Sequence, residues 1–264
     1  MKKIKSKYFE INSNSNSIKC KLYYNEGTSI ENIVVCCHGF AWSKENTGGL
    51  RLSENLLSNQ DNTAVLAFDW PCHGKDVRQK LNLSDCNNYL SIVLEYIEQT
   101  FDVKNIYSFA TSFGGYLTLK YIYEHGNPFK RVFLRCPAVN MHDVLRNVIL
   151  SEEQKDAIDK GKDVVAGFDK KIRISKKFLD ELKENDITKL DYSHESDKIM
   201  IGHGTVDEVV SFDVSKKFAN DNNIGFVDIV GANHTFKDRA KLHEVISYAY
   251  EFISEDLLSN NISL

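Results

Sequence analysis

Only three prolines interrupt the 264 residues and no Gly/Ser-rich tract occurs, so a flexible interdomain linker is not expected. No apolar run approaches the ~20 residues a bilayer span requires, which argues against a membrane-crossing helix. A basic excess is missing as well: 37 acidic side chains outnumber 33 basic ones, leaving −4, the wrong balance for a nucleic-acid binder. The basic start, Met1-Lys-Lys-Ile-Lys-Ser-Lys, has no apolar stretch behind it, so a signal peptide is not expected. The cysteines, at 20, 36, 37, 72, 86 and 136, form neither a CxxC pair nor a CxxC…HxxxH spacing. Cys36 and Cys37 lie side by side in an apolar run, where free thiols act as small buried hydrophobes. No metal, disulfide framework or organic cofactor is implied, and this cysteine usage suits a reducing, cytoplasmic compartment.

What the chain does contain is ordinary globular composition, 42% hydrophobic and 27% charged, in a length that fits one large domain. Residues 7–11 and 17–24 alternate in polarity around an Asn/Ser turn at 12–16, predicting an antiparallel hairpin at a sheet edge. Short runs apolar on both faces follow at 32–37, 64–68, 105–110, 131–135 and 197–202. Such runs suit a parallel sheet covered by helices on each side. Helical stripes lie between them. Leu90, Val93, Tyr96 and Ile97 make one, with Ser84 or Asp85 as the cap; Leu117, Tyr121 and Ile122 make another, stopped by Gly126-Asn-Pro128. Leu242, Ile246, Ala249, Ile253 and Leu257 make the last. This alternation predicts an α/β open sheet.

Between about 139 and 195 the alternation stops, and residues 151–186 carry 19 charged side chains. Ser151 with Gln154 forms a capping box, and Ser175 caps a second helix around Phe178, Leu179 and Leu182. We read 139–195 as a helical cap inserted into a core of 1–138 and 196–264, lying over the sheet edge where open α/β folds bind ligands. The alternative is a solvated excursion without a role in binding.

The chemistry centres on Tyr107-Ser-Phe-Ala-Thr-Ser-Phe-Gly-Gly115, where Ser112 stands between a strand and a helix with Ala110 and Gly114 two residues to either side. A tight strand-to-helix turn needs small neighbours and lifts a hydroxyl clear of the sheet, at the positive end of the helix. Spacing alone equally allows a plain helix N-cap. Partners decide between the two, because a serine nucleophile needs a base, and the base needs an acid. Downstream, Ile199-Met-Ile-Gly-His-Gly-Thr-Val-Asp207 presents an aspartate after a strand, and Val230-Gly-Ala-Asn-His234 presents a histidine before the last helix. The order is Ser112, Asp207, His234, each where a strand gives way to a loop. His38-Gly39-Phe40-Ala41 ends another strand, and the backbone N–H groups of Phe40 and Phe113 are the expected oxyanion donors.

On His38-Gly39-Phe40, Asp69-Trp-Pro-Cys-His73-Gly74, Ala110-Thr-Ser-Phe-Gly-Gly115, Gly204-Thr-Val-Asp207 and His234, the sequence resembles the capped esterase/lipase group of α/β-hydrolases. Within that group it is similar to cinnamoyl (feruloyl) esterases and monoacylglycerol lipases. The resemblance implies Ser112, Asp207 and His234 as catalytic triad, Phe40 and Phe113 amides as oxyanion hole, and a small-molecule ester as substrate. Ala110 and Cys72 stand where relatives usually carry glycine. Ala110 with His-Gly-Phe-Ala also resembles bacterial acyl thioesterases, so an acyl thioester is the alternative substrate. A binding protein that has lost turnover is the alternative from another class.

Rival residues are His203 as base, Glu208 as acid, and His38 and His73, which are expected to stabilise loops. Lys170, Lys171, Arg173, Lys176 and Lys177 form a basic run in the cap, read as a solvated face or, less simply, as an attractor for an acidic carrier. Phe40, Trp42 and Phe113 are the expected substrate contacts, suiting a small to medium apolar or aromatic acyl group. Oligomeric state has no sequence signal.

Overall fold

The runs that are apolar on both faces form the middle of an eight-stranded sheet, because only a strand covered on both sides can afford to bury every residue. The computed structural model describes residues 4–13, 16–76, 79–168 and 170–259. In chain order the first part is β1 (Ile4–Ser13), β2 (Asn16–Asn25), β3 (Asn32–Cys37), α1 (Thr47–Asn59) and β4 (Thr63–Phe68). Next come α2 (Leu83–Thr100), β5 (Asn105–Thr111), α3 (Phe113–His125) and β6 (Val132–Arg135). After β6 the chain makes α4 (Met141–Asp143), which runs into a π-helical turn at Val144–Ile149, then α5 (Glu152–Asp159). A short hairpin of β7 (Val164–Ala166) and β8 (Ile172–Ile174) precedes α6 (Lys176–Glu184). The core resumes with β9 (Ile199–Gly204), α7 (Phe212–Asp221), β10 (Gly225–Ile229) and α8 (Arg239–Ser259).

The sheet order is β1-β2-β4-β3-β5-β6-β9-β10, antiparallel across β1, β2 and β4 and parallel from β4 onward. From β3 the chain first steps to β4 on one side and then crosses to β5 on the other. The loops after β3 and β5 therefore part in opposite directions, which opens a crevice at the carboxyl ends of the strands. Two apolar layers fill the space between sheet and helices. One packs α2, α3 and the inserted segment, the other α1 and α8.

Sequence expectations and structure agree at the strands and at three of the four predicted helix starts and stops. The Ser151–Gln154 capping box is formed at α5, Ser175 caps α6, and α3 ends at Gly126 with φ +84°. The cap of α2 differs: Asn82, not Ser84 or Asp85, accepts the amide of Asp85. Neither α1 nor α7 was singled out by periodicity, since the apolar stripe of α1 begins only after Gly48 and Gly49. The β7–β8 hairpin is also an addition to the expected helices; with three residues a side, it is too short to show a period. The turn residues 14 and 15 and the Leu257 side chain lie outside the described residues. All six cysteines are buried as thiols, and burial pushes the Cys37 thiol up to about 12. No described helix is long and apolar enough to cross a membrane.

One buried ion pair fixes the crevice loops. Lys44, in the loop after β3, places its ammonium 2.7 Å from Asp69 in the loop after β4, with both side chains almost wholly out of water. Asp69 also accepts the backbone amides of Lys44 and Lys75 at 2.8 and 2.9 Å. Losing the cation would leave a sealed carboxylate with only those amides. Lys44→Met is therefore expected to lower stability by about 3–5 kcal/mol in urea unfolding. A loss below about 1 kcal/mol would mean that water reaches the pair.

Candidate active site

Ser112 sits at the joint between β5 and α3 with φ +52° and ψ −117°, a backbone conformation that a side chain rarely adopts. The strain is held from both sides. Its N–H donates to the Arg135 carbonyl at 3.0 Å, and its carbonyl accepts from Tyr116 and Ala138 at 3.1 Å each. Although it stands at the N-cap position, its side chain makes no capping bond. Its hydroxyl instead lies 3.1 Å from His234 Nε2. The plain N-cap reading of Ser112 is thereby excluded.

His234 is carried by the loop between β10 and α8 and is buried. Its Nδ1 is 2.7 Å from Asp207 Oδ2, so Nδ1–H donates to the carboxylate and Nε2 is left as an acceptor facing Ser112. Asp207 follows β9 with its side chain fully out of water. Oδ1 accepts the amides of Val209 and Val210 at 2.9 and 2.8 Å, and Oδ2 accepts from both His234 and His203. Burial alone would raise the Asp207 carboxyl, but the hydrogen bonds from His203 and His234 outweigh it and hold the group well below the usual carboxylate range. Three side chains far apart in sequence thus form one relay.

The rival residues fall into other places. His203 is fully buried and its Nε2 is 3.2 Å from Asp207 Oδ2 and 3.2 Å from the Val210 carbonyl, so it braces the acid. Glu208 accepts the backbone N–H of His234 at 3.2 Å. His38 donates from Nδ1 to the Gly39 carbonyl at 2.8 Å and accepts the Trp70 amide at Nε2, while His73 donates to the Pro71 carbonyl. Both brace loops, as expected.

The turn after β3 comes very close to Ser112. A Cβ on Gly39 would stand 3.3 Å from Ser112 Cβ, and one on Gly114 would strike the Cys37 carbonyl oxygen at 2.4 Å. Only glycine lets the start of α3 and the end of β3 approach so far. The amides of Phe40 and Phe113 flank this contact, and neither donates to a protein acceptor among the described residues. Cys72, where the resembling family has glycine, takes φ +67° and so carries strain that glycine would avoid.

A cavity of about 610 Å³ opens over Ser112 and His234. Phe40 and Trp42 line it, but Phe113 does not. The Phe113 ring is completely buried, packed against Phe40, His73, Tyr116 and Phe178. Its expected part as a substrate contact is therefore corrected: the helix start that offers its amide turns its ring into the core. Met141, Val144, Ile149 and Phe168, all from the inserted segment, line the cavity too. That segment is stitched to the core by Lys170, whose amide donates to Ala41 and whose ammonium donates to the Gly74 carbonyl. Further ties run from the Leu83 amide to Glu181 and from the Tyr116 hydroxyl to the Asn185 carbonyl.

Among the described residues, Cys136, His203 and Asp207 have donor atoms within 4.8 Å of one another. They do not fit a metal. The lone pairs of Asp207 are taken by four N–H donors, and burial together with the Asp207 charge pushes the Cys136 thiol far above its ordinary range.

Residues that sequence reasoning did not single out also stand at the site, above all Arg135, an arginine closing the apolar strand β6 and lining the cavity. Its position after Val132-Phe-Leu was the available signal.

Burial pushes the His38 and His73 imidazoles down to about 3. Their folded values lie below the unfolded one, so the unfolded chain binds these protons more tightly. The stability they protect is complete above about pH 6.5 and drains away as pH falls toward 3. Urea unfolding should accordingly show a loss approaching about 1.4 kcal/mol per pH unit for each imidazole below pH 6. A flat profile from pH 6.5 to 4 would contradict the buried, neutral assignment.

A family model described as alpha/beta hydrolase fold matches residues 32–163. No curated protein matches the chain by sequence. Solved structures match its fold. Ferulic acid-bound Est1E from Butyrivibrio proteoclasticus is 19% identical, covering 95% of this chain and 99% of its own, with a TM-score of 0.76. Alpha/beta hydrolase domain-containing protein 10 from mouse is 15% identical over 96% and 99%, with a TM-score of 0.68. The Pyrococcus furiosus esterase Pf2001 is 16% identical over 96% and 93%, with a TM-score of 0.65.

Proposed function

The chain belongs to the α/β-hydrolase family, and within that family we propose that it is a serine carboxylic ester hydrolase. The observation that carries this reading is the relay from Ser112 Oγ through His234 to Asp207, at 3.1 and 2.7 Å, on the floor of a cavity. Ser112 attacks the ester carbonyl while His234 Nε2 takes its proton. Asp207 holds the imidazole in the tautomer that makes this possible and stabilises the imidazolium. The negative oxygen of the tetrahedral intermediate accepts from the Phe40 and Phe113 amides. On collapse, the alcohol leaves with the proton from His234, and Ser112 keeps the acyl group. Water, deprotonated by His234, then attacks the acyl-enzyme and releases the acid.

Residues 139–195 act as a cap, which the four apolar side chains they lend to the cavity support. Those chains, with Phe40 and Trp42, suit an apolar portion of the substrate. Ferulic acid, an aromatic acid, is bound by Est1E, which has the same fold. The acyl-thioester alternative keeps the resemblance around Ala110 but loses its electrostatic support. Lys176 and Lys177 pair with Asp180 and Glu181, Arg173 approaches Asp163, and Lys170 and Lys171 donate to backbone carbonyls.

Ser112→Ala is expected to abolish hydrolysis of 4-nitrophenyl esters and labelling by a fluorophosphonate while leaving the unfolding curve cooperative. Undiminished turnover in that variant would assign the nucleophile elsewhere. Asp207→Asn should reduce kcat by up to about 10⁴ through the wrong imidazole tautomer. Steady-state kinetics showing a drop of less than about tenfold would shift the acid's role to another carboxylate.

A further inference from the structure

Arg135 closes β6 with 8% of its surface exposed and has no carboxylate within ion-pair distance among the described residues. Its Nε is sealed from water with no hydrogen-bond partner. A buried arginine without an ion-pair partner is costly: burial works against its charge, and the nearby Asp207 carboxylate, already engaged by N–H donors, offsets only part of that. Its remaining neighbours are the Phe236 ring, centred 5.1 Å from the guanidinium carbon, and the start of α1. A Cβ on Gly48 would stand 3.4 Å from one terminal nitrogen. Asn46, Thr47 and Gly48 line the same cavity, so the positive end of a 13-residue helix meets the guanidinium there. The first turn of α1 holds no acidic residue. Lys237 and Arg239 line the cavity as well, and Glu208, the lining carboxylate, is engaged by the His234 amide. The lysines of the inserted segment's basic run have polar partners; Arg135, inside, has no ion-pair partner among the described residues.

We propose that this end of the cavity is an anion subsite, and that the substrate is an ester bearing a free carboxylate, held by the Arg135 guanidinium and the first amides of α1 while its ester group lies against Ser112. The planar fork of arginine matches a carboxylate edge-on, which a point charge does not. The apolar cap residues cover the chain between the two polar ends. This inference rests on the ester-hydrolase reading for its reaction but not for its binding.

The test compares release of 4-nitrophenolate from 4-nitrophenyl hydrogen adipate and from 4-nitrophenyl methyl adipate, the same chain ending in a carboxylate in one and in its neutral methyl ester in the other. The intact protein should prefer the acid by about tenfold or more in kcat/KM. In Arg135→Met that ratio should fall to one or below, and in Arg135→Lys it should be partly kept. A ratio near one in the intact protein, or one unmoved in Arg135→Met, overturns the subsite. Should Arg135→Met fail to fold, Arg135→Gln takes its place with the same two outcomes. Binding separates this inference from the hydrolase reading. Calorimetric titration of Ser112→Ala with monomethyl adipate and dimethyl adipate should show tighter binding of the monoanion, lost in Ser112→Ala/Arg135→Met. Anion-selective binding without turnover of either ester in the intact protein would sustain the subsite and remove the hydrolase assignment. Turnover of both esters without charge preference would do the reverse.

Discussion

The Asp207 carboxylate lies wholly out of water, and four N–H groups converge on its two oxygens. Two come from the turn that follows it, which freezes the loop after β9. The other two come from imidazoles on two different elements, His203 in β9 and His234 in the loop after β10. With every lone pair occupied, the carboxylate stays ionised and cannot rotate without breaking several charge-assisted bonds. The orientation of His234 follows from that of Asp207, and the acceptor face presented to Ser112 follows from that of His234.

Ser112 is constrained from the other direction. The close approach of α3 to β3, possible only with glycine at 114, pins the backbone on one side of the hydroxyl. The Arg135 carbonyl and Ala138 amide pin it from β6 and the chain beyond. The strained turn is thus over-determined by its surroundings, which is the condition under which such conformations persist. The Lys44–Asp69 pair then ties together the loops after β3 and β4, the first of which carries Gly39 against Ser112.

Much of this was legible in sequence, for reasons that differ by element. The doubly buried strands announce themselves because every residue must be apolar, and the relay residues because each sits where an apolar run stops. The α1 helix was harder, since its two glycines belong to the crevice and dilute its stripe. The ring of Phe113 was misjudged because adjacency to Ser112 says nothing about direction: one position into a helix, the side chain turns toward the core while the amide stays at the site. His203 was weighed only as a competitor for the proton, whereas the fold makes it the second support of the acid. Arg135 was passed over because a charge at the end of a strand usually reaches water, and only the packing of Phe236 and α1 over it reveals that it does not.

The stitching of residues 139–195 to the core bears on how molecules enter and leave. Lys170, near the middle of that segment, reaches across to Ala41 and Gly74, and Glu181 and Asn185, nearer its end, are bound to Leu83 and Tyr116. A hinge swing would have to break both moorings together. Phe168, half exposed on the cavity wall, is thus moored to the core through Lys170 two residues on, so the shape of that wall is tied to the loops after β3 and β4.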